Sequence, residues 1–379
     1  MSARSSNGPG IATRVFGSQW FVSVLAVLIA FVIGAILIAL SGASVVDAYY
    51  AMFRGSIVDP NAANAVRMIK PLTDSLFYSI PLIISGLGLA LGFRAGLFNI
   101  GGKGQIIVGA LAAVWVGFSV NLPPVLHTLV ALLVAIVAGG LYGGIAGVLK
   151  AKTGANEVIV TIMLNSIATL GLGYTLAQKA WQVPGTNQPV TPKVAESAAL
   201  ARLLPAPFKL HVGFLVALVA LVAFWWLIER STLGFQIRAV GANAAAARTA
   251  GISVERITAI TMVLSGAFLG LAGANEALGT IGYVSRDVAG SIGFDAITVA
   301  LLGRNKTWGT FGAGLLFGAF KAGGYTMQAK GVPIDMILIL QSVIVLLIAA
   351  PALVRWLFRL PDVRVLAANT RKGNADEHK

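Results

Sequence analysis

Asn99 and Gln105 stand six residues apart in Leu97-Phe98-Asn99-Ile100-Gly101-Gly102-Lys103-Gly104-Gln105-Ile106, a polar, glycine-rich interruption between two long apolar runs, Ser75–Phe93 and Gln105–Leu122. In hydrocarbon an unpaired backbone N–H or C=O costs several kcal/mol, so irregular backbone persists there only against protein, water or a ligand. Two readings follow. The stretch is a short turn at a membrane surface, with Arg94 and Lys103 among lipid headgroups. Alternatively it is a broken helix, in which Asn99 and Gln105 line a solute route in the way discontinuous helices do.

Other polar residues lie in or at the ends of apolar runs: Asn165, Asn275, Glu276, Asp295, Lys321, Asp335 and Gln341. Ionisable groups within a bilayer are rare and face protein, water or a pathway. Asn275 and Glu276, near one end of their run, could hydrogen-bond a hydroxyl or a ring edge of a passing solute. The structural alternative is an interhelical hydrogen bond, worth about 0.6 kcal/mol on average in membrane proteins. Lys321 has Asp295 and Glu276 as possible ion-pair partners. The candidate pathway residues are therefore Phe98, Asn99 and Gln105 from the interruption, with Asn165, Asn275, Glu276 and Asp295 from the runs.

The elements that must position them are membrane spans. Hydrophobic residues make up 57% of the 379 and charged residues 11%, against about 25% charged in soluble domains. Mean hydropathy is +0.84. Ten apolar segments can be read: Phe21–Ser41, Ser75–Phe93, Gln105–Leu122, Val125–Leu149, Val158–Leu176, Val212–Ile228, Ile257–Gly279, Ala289–Gly303, Gly309–Met327 and Val332–Val354. Most are long enough for about 30 Å of hydrocarbon. Ala289–Gly303 is short and carries Asp295, which marks it as a half-helix or re-entrant segment. The fold expected is all-α: a polytopic membrane protein of about ten transmembrane helices. The first run is too long for a signal-peptide core and reads as an uncleaved anchor.

With the N-terminus in the cytoplasm, 18 of the 28 lysines and arginines fall on the inner side, as the positive-inside rule requires. Both termini are then cytoplasmic, the domain organisation being 1–20 as an inner segment, 21–358 as the membrane domain and 359–379 as a disordered tail. Gly42–Asp74 and Ala177–His211 fall outside, as solvated spacers or as a docking surface for an external receptor. The net charge of +14 is spread between spans rather than gathered in a stripe, so nucleic acid is not the expected partner.

Several chemistries are excluded. There is no cysteine, hence no disulfide, thiolate metal site or cysteine nucleophile. His127, His211 and His378 are scattered at span ends or in the tail and read as interfacial residues. No Gly-x-x-x-x-Gly-Lys-Ser/Thr phosphate loop occurs, so any phosphate chemistry belongs to another chain. No metal or other cofactor is expected, and an intramembrane enzyme is disfavoured because no nucleophile–base pair sits within one span. Gly139-Gly140-Leu-Tyr-Gly143-Gly144 reads as a close helix-packing surface.

The inner connection 229–256 has its own design. Asn243 can cap a helix, Ala244–Ala247 are the strongest helix formers, and Gly251 suits a left-handed stop. Arg238, Arg248 and Arg256 flank the short helix. It lacks the apolar face of a membrane-lying helix, which favours entry into a groove on another protein.

Four motifs occur in order: Gly96-Leu-Phe-Asn-Ile-Gly-Gly-Lys-Gly-Gln105, Gly154-Ala-Asn-Glu-Val-Ile-Val-Thr-Ile-Met-Leu-Asn165, Arg238-Ala-Val-Gly-Ala-Asn243 with Ala250-Gly-Ile252, and Leu301-Leu-Gly-Arg-Asn-Lys-Thr-Trp-Gly309. Together they resemble the permeases of ABC importers of the ribose and branched-chain amino-acid type, most closely the nucleoside importers whose receptor is a basic-membrane-protein-type lipoprotein. The resemblance covers roughly residues 70 to 355. It implies a second permease of similar fold, in a heterodimer; an ATPase with two nucleotide-binding domains; and an extracytoplasmic lipoprotein receptor. It also implies pseudo-symmetric halves, with 98–105 and 289–303 as counterparts, and an ATPase-coupling set of Arg238, Gly241, Asn243, Ala246, Arg248 and Gly251. The cargo implied is a nucleoside. A simple sugar, or an ion-coupled secondary transporter working without an ATPase, are the alternatives.

Overall fold

The computed structural model describes residues 19–333 together with 336, 338, 339, 342, 343, 346 and 347. Among the described residues the regular structure is helical, apart from one isolated antiparallel bridge between Arg202 and His211. In chain order the helices are α1 (Gln19–Leu40), α2 (Val45–Ser56), α3 (Ala65–Arg94), α4 (Gly102–Ser119), α5 (Leu126–Thr153), α6 (Glu157–Ala177), α7 (Gly213–Trp225), α8 (Thr232–Ala242), α9 (Ala244–Thr249), α10 (Val254–Asn275), α11 (Ile292–Leu302) and α12 (Thr307–Gln328). π-Helical turns, Trp226–Arg230 and Glu276–Ile281, continue α7 and α10.

Six of these are long and apolar enough to cross a membrane: Ala65–Arg94, Gly102–Ser119, Leu126–Thr153, Glu157–Ala177, Gly213–Arg230 and Val254–Ile281. This is a multi-pass, all-helical architecture. Nine of the ten apolar segments fall on helices, whereas Val332–Val354 lies largely outside the described residues, as do Asp335, Gln341 and the tail 359–379. The 11-residue α11 is only about 16 Å long at 1.5 Å per residue, half the hydrocarbon thickness, as the short segment predicted.

Residues 52–326 form one compact unit, and the described parts of 1–51 and 327–379 another. In the second, Tyr49 donates its hydroxyl to the Phe31 carbonyl at 2.5 Å, with the two rings edge-on at 5.4 Å. The stretch 42–74, expected as a solvated connection, is mostly helix. Asp47 in the first turn of α2 and Arg54 in the last match the helix macrodipole. Asn64 accepts from the Arg67 N–H and starts α3 ten residues before the apolar run. Pro71 reads as a breaker, yet α3 carries both Pro71 and Pro81 inside it.

Short polar side chains start three further helices. Asn156 caps α6, Ser231 caps α8 and Ser253 caps α10. Each satisfies backbone donors that the first turn of a helix leaves unpaired.

The centre of the larger unit is the crossing of α5 and α10. A Cβ on Gly139 would stand 2.5 Å from the Gly266 carbonyl oxygen, and one on Gly266 2.3 Å from that of Gly139. Gly270 meets the Ala135 carbonyl oxygen in the same way at 2.3 Å. Backbone lies directly on backbone, which is how small residues let membrane helices associate. The glycine run read as a packing surface has that role.

Candidate functional site

The chain between α3 and α4 turns inside protein. Gly96 takes φ +74°, and Leu97 and Asn99 are buried. Asn99 Nδ2 donates to Gln105 Oε1 at 3.1 Å and Ser265 Oγ at 3.0 Å, while its Oδ1 accepts from the Gly101 N–H at 2.8 Å. Asn165 Oδ1 accepts from the Gly104 N–H at 2.7 Å and its Nδ2 donates to the Ile100 carbonyl at 2.8 Å. Thr161 Oγ1 accepts from the Ile100 N–H at 3.2 Å. Glu157 takes the Phe98 N–H at 3.4 Å and the Lys150 ammonium at 2.6 Å.

Residues 95–101 join two helices that are each long enough to cross a membrane, and the connection is packed inside protein. The polar side chains close the backbone's own hydrogen bonds, as burial demands. Asn99, Gln105 and Asn165 are thus gathered into one network, with their polar atoms engaged in holding the connection. Phe98 alone of this group is exposed, its ring 4.9 Å from that of Phe93. Ser265 and Thr161 belong to the network and were not candidates. Each is a lone hydroxyl in an apolar run, 166 and 61 positions from its partner.

The two short segments proposed as counterparts meet. A Cβ on Gly293, at the start of α11, would stand 2.5 Å from the Lys103 nitrogen, and one on Gly102 3.1 Å from the Gly293 carbonyl oxygen. Both helices therefore begin beside each other. A second break separates α11 from α12, where Arg304 and Asn305 take left-handed φ values of 54° and 55°. Non-glycine residues there cost roughly 1–3 kcal/mol each. The Asn305 carbonyl accepts from Arg94 Nε at 2.7 Å, so the ends of α3 and α11 are tied.

The remaining candidates lie elsewhere. Asn275 donates to the Gly213 carbonyl at 3.2 Å and packs beside His211. Glu276 shares a hydrogen bond with Thr280 and is in electrostatic range of Lys321. Asp295 pairs with Lys321 at 2.9 Å and accepts from Ser291 Oγ at 2.7 Å. His127 and His211, expected as interfacial, are fully buried. His127 joins Ser197 Oγ and the Val116 carbonyl at 2.9 and 3.0 Å. Burial in the loop before α7 pulls the His211 pKa down to about 4.

The connection 229–256 is built as its sequence suggested. Asn243 Oδ1 caps α9 by accepting from the Ala246 N–H at 3.0 Å, and Gly251 takes φ +82°. Ala244, Ala245 and Ala246 are exposed while Ala247 is buried. A concave face of about 560 Å³ lies along α8 and α9, lined by Phe235, Gln236, Ala239, Ala246, Ala250 and Ile252 among others. Arg248, one of the arginines flanking the short helix, pairs with Glu255 of its own chain at 2.7 Å. Arg238 reaches Glu229 at 4.0 Å and Arg94 reaches it at 3.5 Å. Gly241 has a steric reason, because a Cβ there would fall 2.0 Å from the Arg94 carbonyl oxygen.

A helical bundle with several spans, a satisfied break inside it and a capped helical connection at one end is the architecture of a membrane translocation subunit. The chain belongs to the family described as branched-chain amino acid transport system / permease component, whose model matches residues 72–349. It is 39% identical over 349 residues to the guanosine ABC transporter permease protein NupP of Bacillus subtilis, covering 89% of this chain and 95% of that one. It is 35% identical over 333 residues to the glucose ABC transporter permease protein TsgB13 of Haloferax volcanii, covering 85% of each. To the nucleoside ABC transporter permease protein NupB of Lactococcus lactis it is 30% identical over 358 residues, covering 92% and 95%. No solved structure matches.

Proposed function

We propose that this chain is the permease subunit of an ABC importer that moves nucleosides inward across the cytoplasmic membrane. The observation that carries the reading is the near-full-length similarity to a guanosine permease, at 39% identity. The 35% identity to a glucose permease keeps simple sugars as the second reading of the cargo. In this proposal ATP hydrolysis resides on a separate two-domain subunit, a second permease completes a heterodimeric pore, and an extracytoplasmic lipoprotein delivers the solute. The permease domain spans residues 21–358 with about ten transmembrane helices in two pseudo-symmetric halves. The N-terminal 20 residues and the tail 359–379 lie in the cytoplasm.

The connection 229–256 is the element that docks on the ATPase. Support comes from its capped α9, the small exposed alanines and the direct seat of Gly241 on the end of α3. Among the pathway candidates Asn99, Gln105 and Asn165 act by holding the connection in place, Asn275 and Asp295 are held by Gly213 and Lys321, and Phe98 is the exposed one that a solute could meet.

Cells lacking other nucleoside uptake and expressing the whole importer should take up labelled guanosine and fail to do so without this chain. Uptake of glucose with no uptake of any nucleoside would transfer the assignment to the sugar reading. Uptake that persists without an ATPase subunit would favour ion coupling.

A further inference from the structure

The connection 178–212, open in the sequence as spacer or docking surface, folds into an ordered cap over one end of the bundle. It lies where α4, α6 and the π turn after α10 end and where α5 and α7 begin. The Ala195 N–H donates to the Gly117 carbonyl at 2.8 Å, and the Leu200 N–H to the Leu278 carbonyl at 3.1 Å. Ser197 Oγ meets His127 Nδ1 at 2.9 Å. The segment 282–291 joins the cap. Thr191 donates its N–H to the Val284 carbonyl at 3.0 Å, and its Oγ1 accepts from the Val284 N–H at 2.9 Å. The Val194 N–H reaches the Gly282 carbonyl at 3.0 Å. A hairpin follows, with Leu203 donating to the Leu210 carbonyl at 2.9 Å and Val212 to that of Ala201 at 2.8 Å. Ala198, Leu200, Phe208 and Leu210 are buried in it.

What the cap leaves outside is basic. Along 178–212 and 282–291 the exposed charged residues are Lys179, Lys193, Arg202, Lys209 and Arg286, against Glu196 and Asp287. None of them forms a salt bridge among the described residues, whereas Arg54 and Lys70 pair with Asp59 and Asp74. The backbone anchors fix where the cations stand. Lys193 adjoins the tethered Val194, and Arg286 follows the tethered Val284 by two positions. Arg202 and Lys209 sit on the two arms of the hairpin, where Arg202 bridges His211.

In the proposed orientation this end is extracytoplasmic, where short loops are ordinarily poor in lysine and arginine. Topology therefore gives no reason for the excess. Unmatched charge of one sign steers a partner of the other, and a surface already held by backbone bonds has little freedom left to lose on binding. The cap crosses the end of the bundle instead of lying along its sides, which favours a protein arriving from outside over lipid headgroups at the rim.

We infer that the cap is the landing surface for the extracytoplasmic receptor, and that the receptor presents acidic side chains to Lys193, Arg202, Lys209 and Arg286. The inference rests on the importer reading above and adds the surface and the charge of its partner.

The test is binding of the purified receptor to the whole importer in phosphatidylcholine nanodiscs, normalised to permease. Arg202→Glu with Lys209→Glu should weaken binding by about tenfold or more, because like charges set against each other across an interface oppose association. Glu196→Lys should strengthen it. Raising salt from about 0.05 M to 0.5 M should weaken wild-type binding, since screening shortens the reach of exposed charges. That measurement needs no variant, so a misfolded variant does not shield the inference. Unchanged affinity in the double variant, or wild-type affinity indifferent to salt, overturns the surface and leaves the importer function intact. Receptor binding that requires added anionic lipid assigns the cations to headgroups and overturns it as well. If the receptor does not bind the wild-type importer under any of these conditions, the importer reading fails and the surface with it.

Discussion

Arg94 donates from Nε to the backbone carbonyl of Asn305 across 2.7 Å, joining the end of α3 to the strained turn between α11 and α12. The same guanidinium reaches Glu229 at 3.5 Å, and the Arg94 carbonyl faces Gly241. One residue thus touches both helix breaks and the connection 229–256. Hydrogen bonds to charged groups contribute about 1.5–3 kcal/mol when both partners are held. Under the proposed function, Arg94→Ala should leave the permease in the membrane and bound to the proposed ATPase subunit but cut uptake at least severalfold. Measuring uptake against ATP hydrolysis in the same vesicles checks it; equal coupling in wild type and variant would remove Arg94 from this role.

Ala246 is exposed on the concave face along α8 and α9. Tryptophan there fills the space a docking partner needs, and overpacking a fitted interface costs about 1–3 kcal/mol. Ala246→Trp should reduce co-purification of the ATPase roughly fivefold or more and abolish uptake, with normal permease abundance. Arg248→Glu is a weaker probe, because it also sets a second carboxylate beside Glu255.

Orientation is accessible to a chain without cysteine. Glu196 is exposed in the long connection before α7, and Ala245 is exposed on α9. An impermeant thiol reagent applied to intact cells should label Glu196→Cys and leave Ala245→Cys unmodified. The reverse pattern would invert the proposed topology.

Gly266→Ala tests the backbone crossing of α5 and α10. Its Cβ would stand 2.3 Å from the Gly139 carbonyl oxygen, a contact that forces the helices apart. The loss expected is about 1–3 kcal/mol or more, seen as a lower unfolding temperature in detergent. Gly171→Ala, which meets nothing within 4 Å, should be neutral in the same assay.

His211 makes stability depend on acidity. Its pKa falls to about 4 on burial, from an unfolded value near 6.5. Between those values the unfolded chain binds a proton that the folded one refuses. Stability is therefore retained above about 6.5 and lost as pH falls toward 4. Thermal unfolding at pH 7.5 and pH 5 should show this drop, and His211→Gln should shrink it.

Local rules made much of this legible. Asn243 as a cap, Gly251 as a left-handed stop, the short α11 and the packing role of Gly139 and Gly143 all follow from properties of a few neighbouring residues. Pairings over long separations did not. Nothing within the segment around Asn99 says that Ser265 completes its hydrogen bonds, and Arg248 meets Glu255 because Gly251 turns the chain back. Helix α2 and the first ten residues of α3 lie outside the long apolar runs, so hydropathy gave no sign of them.

The glycine crossing of α5 on α10 has a mechanical consequence. Side chains between two helices act as bearings, letting one slide past the other by exchanging rotamers. Here the carbonyl of Ala135 rests on Gly270 and that of Gly139 on Gly266, so over this stretch sliding would drive oxygen into backbone. Close contact of backbone on backbone resists sliding there, so a displacement of α10 at Val254 would carry that part of α5 with it.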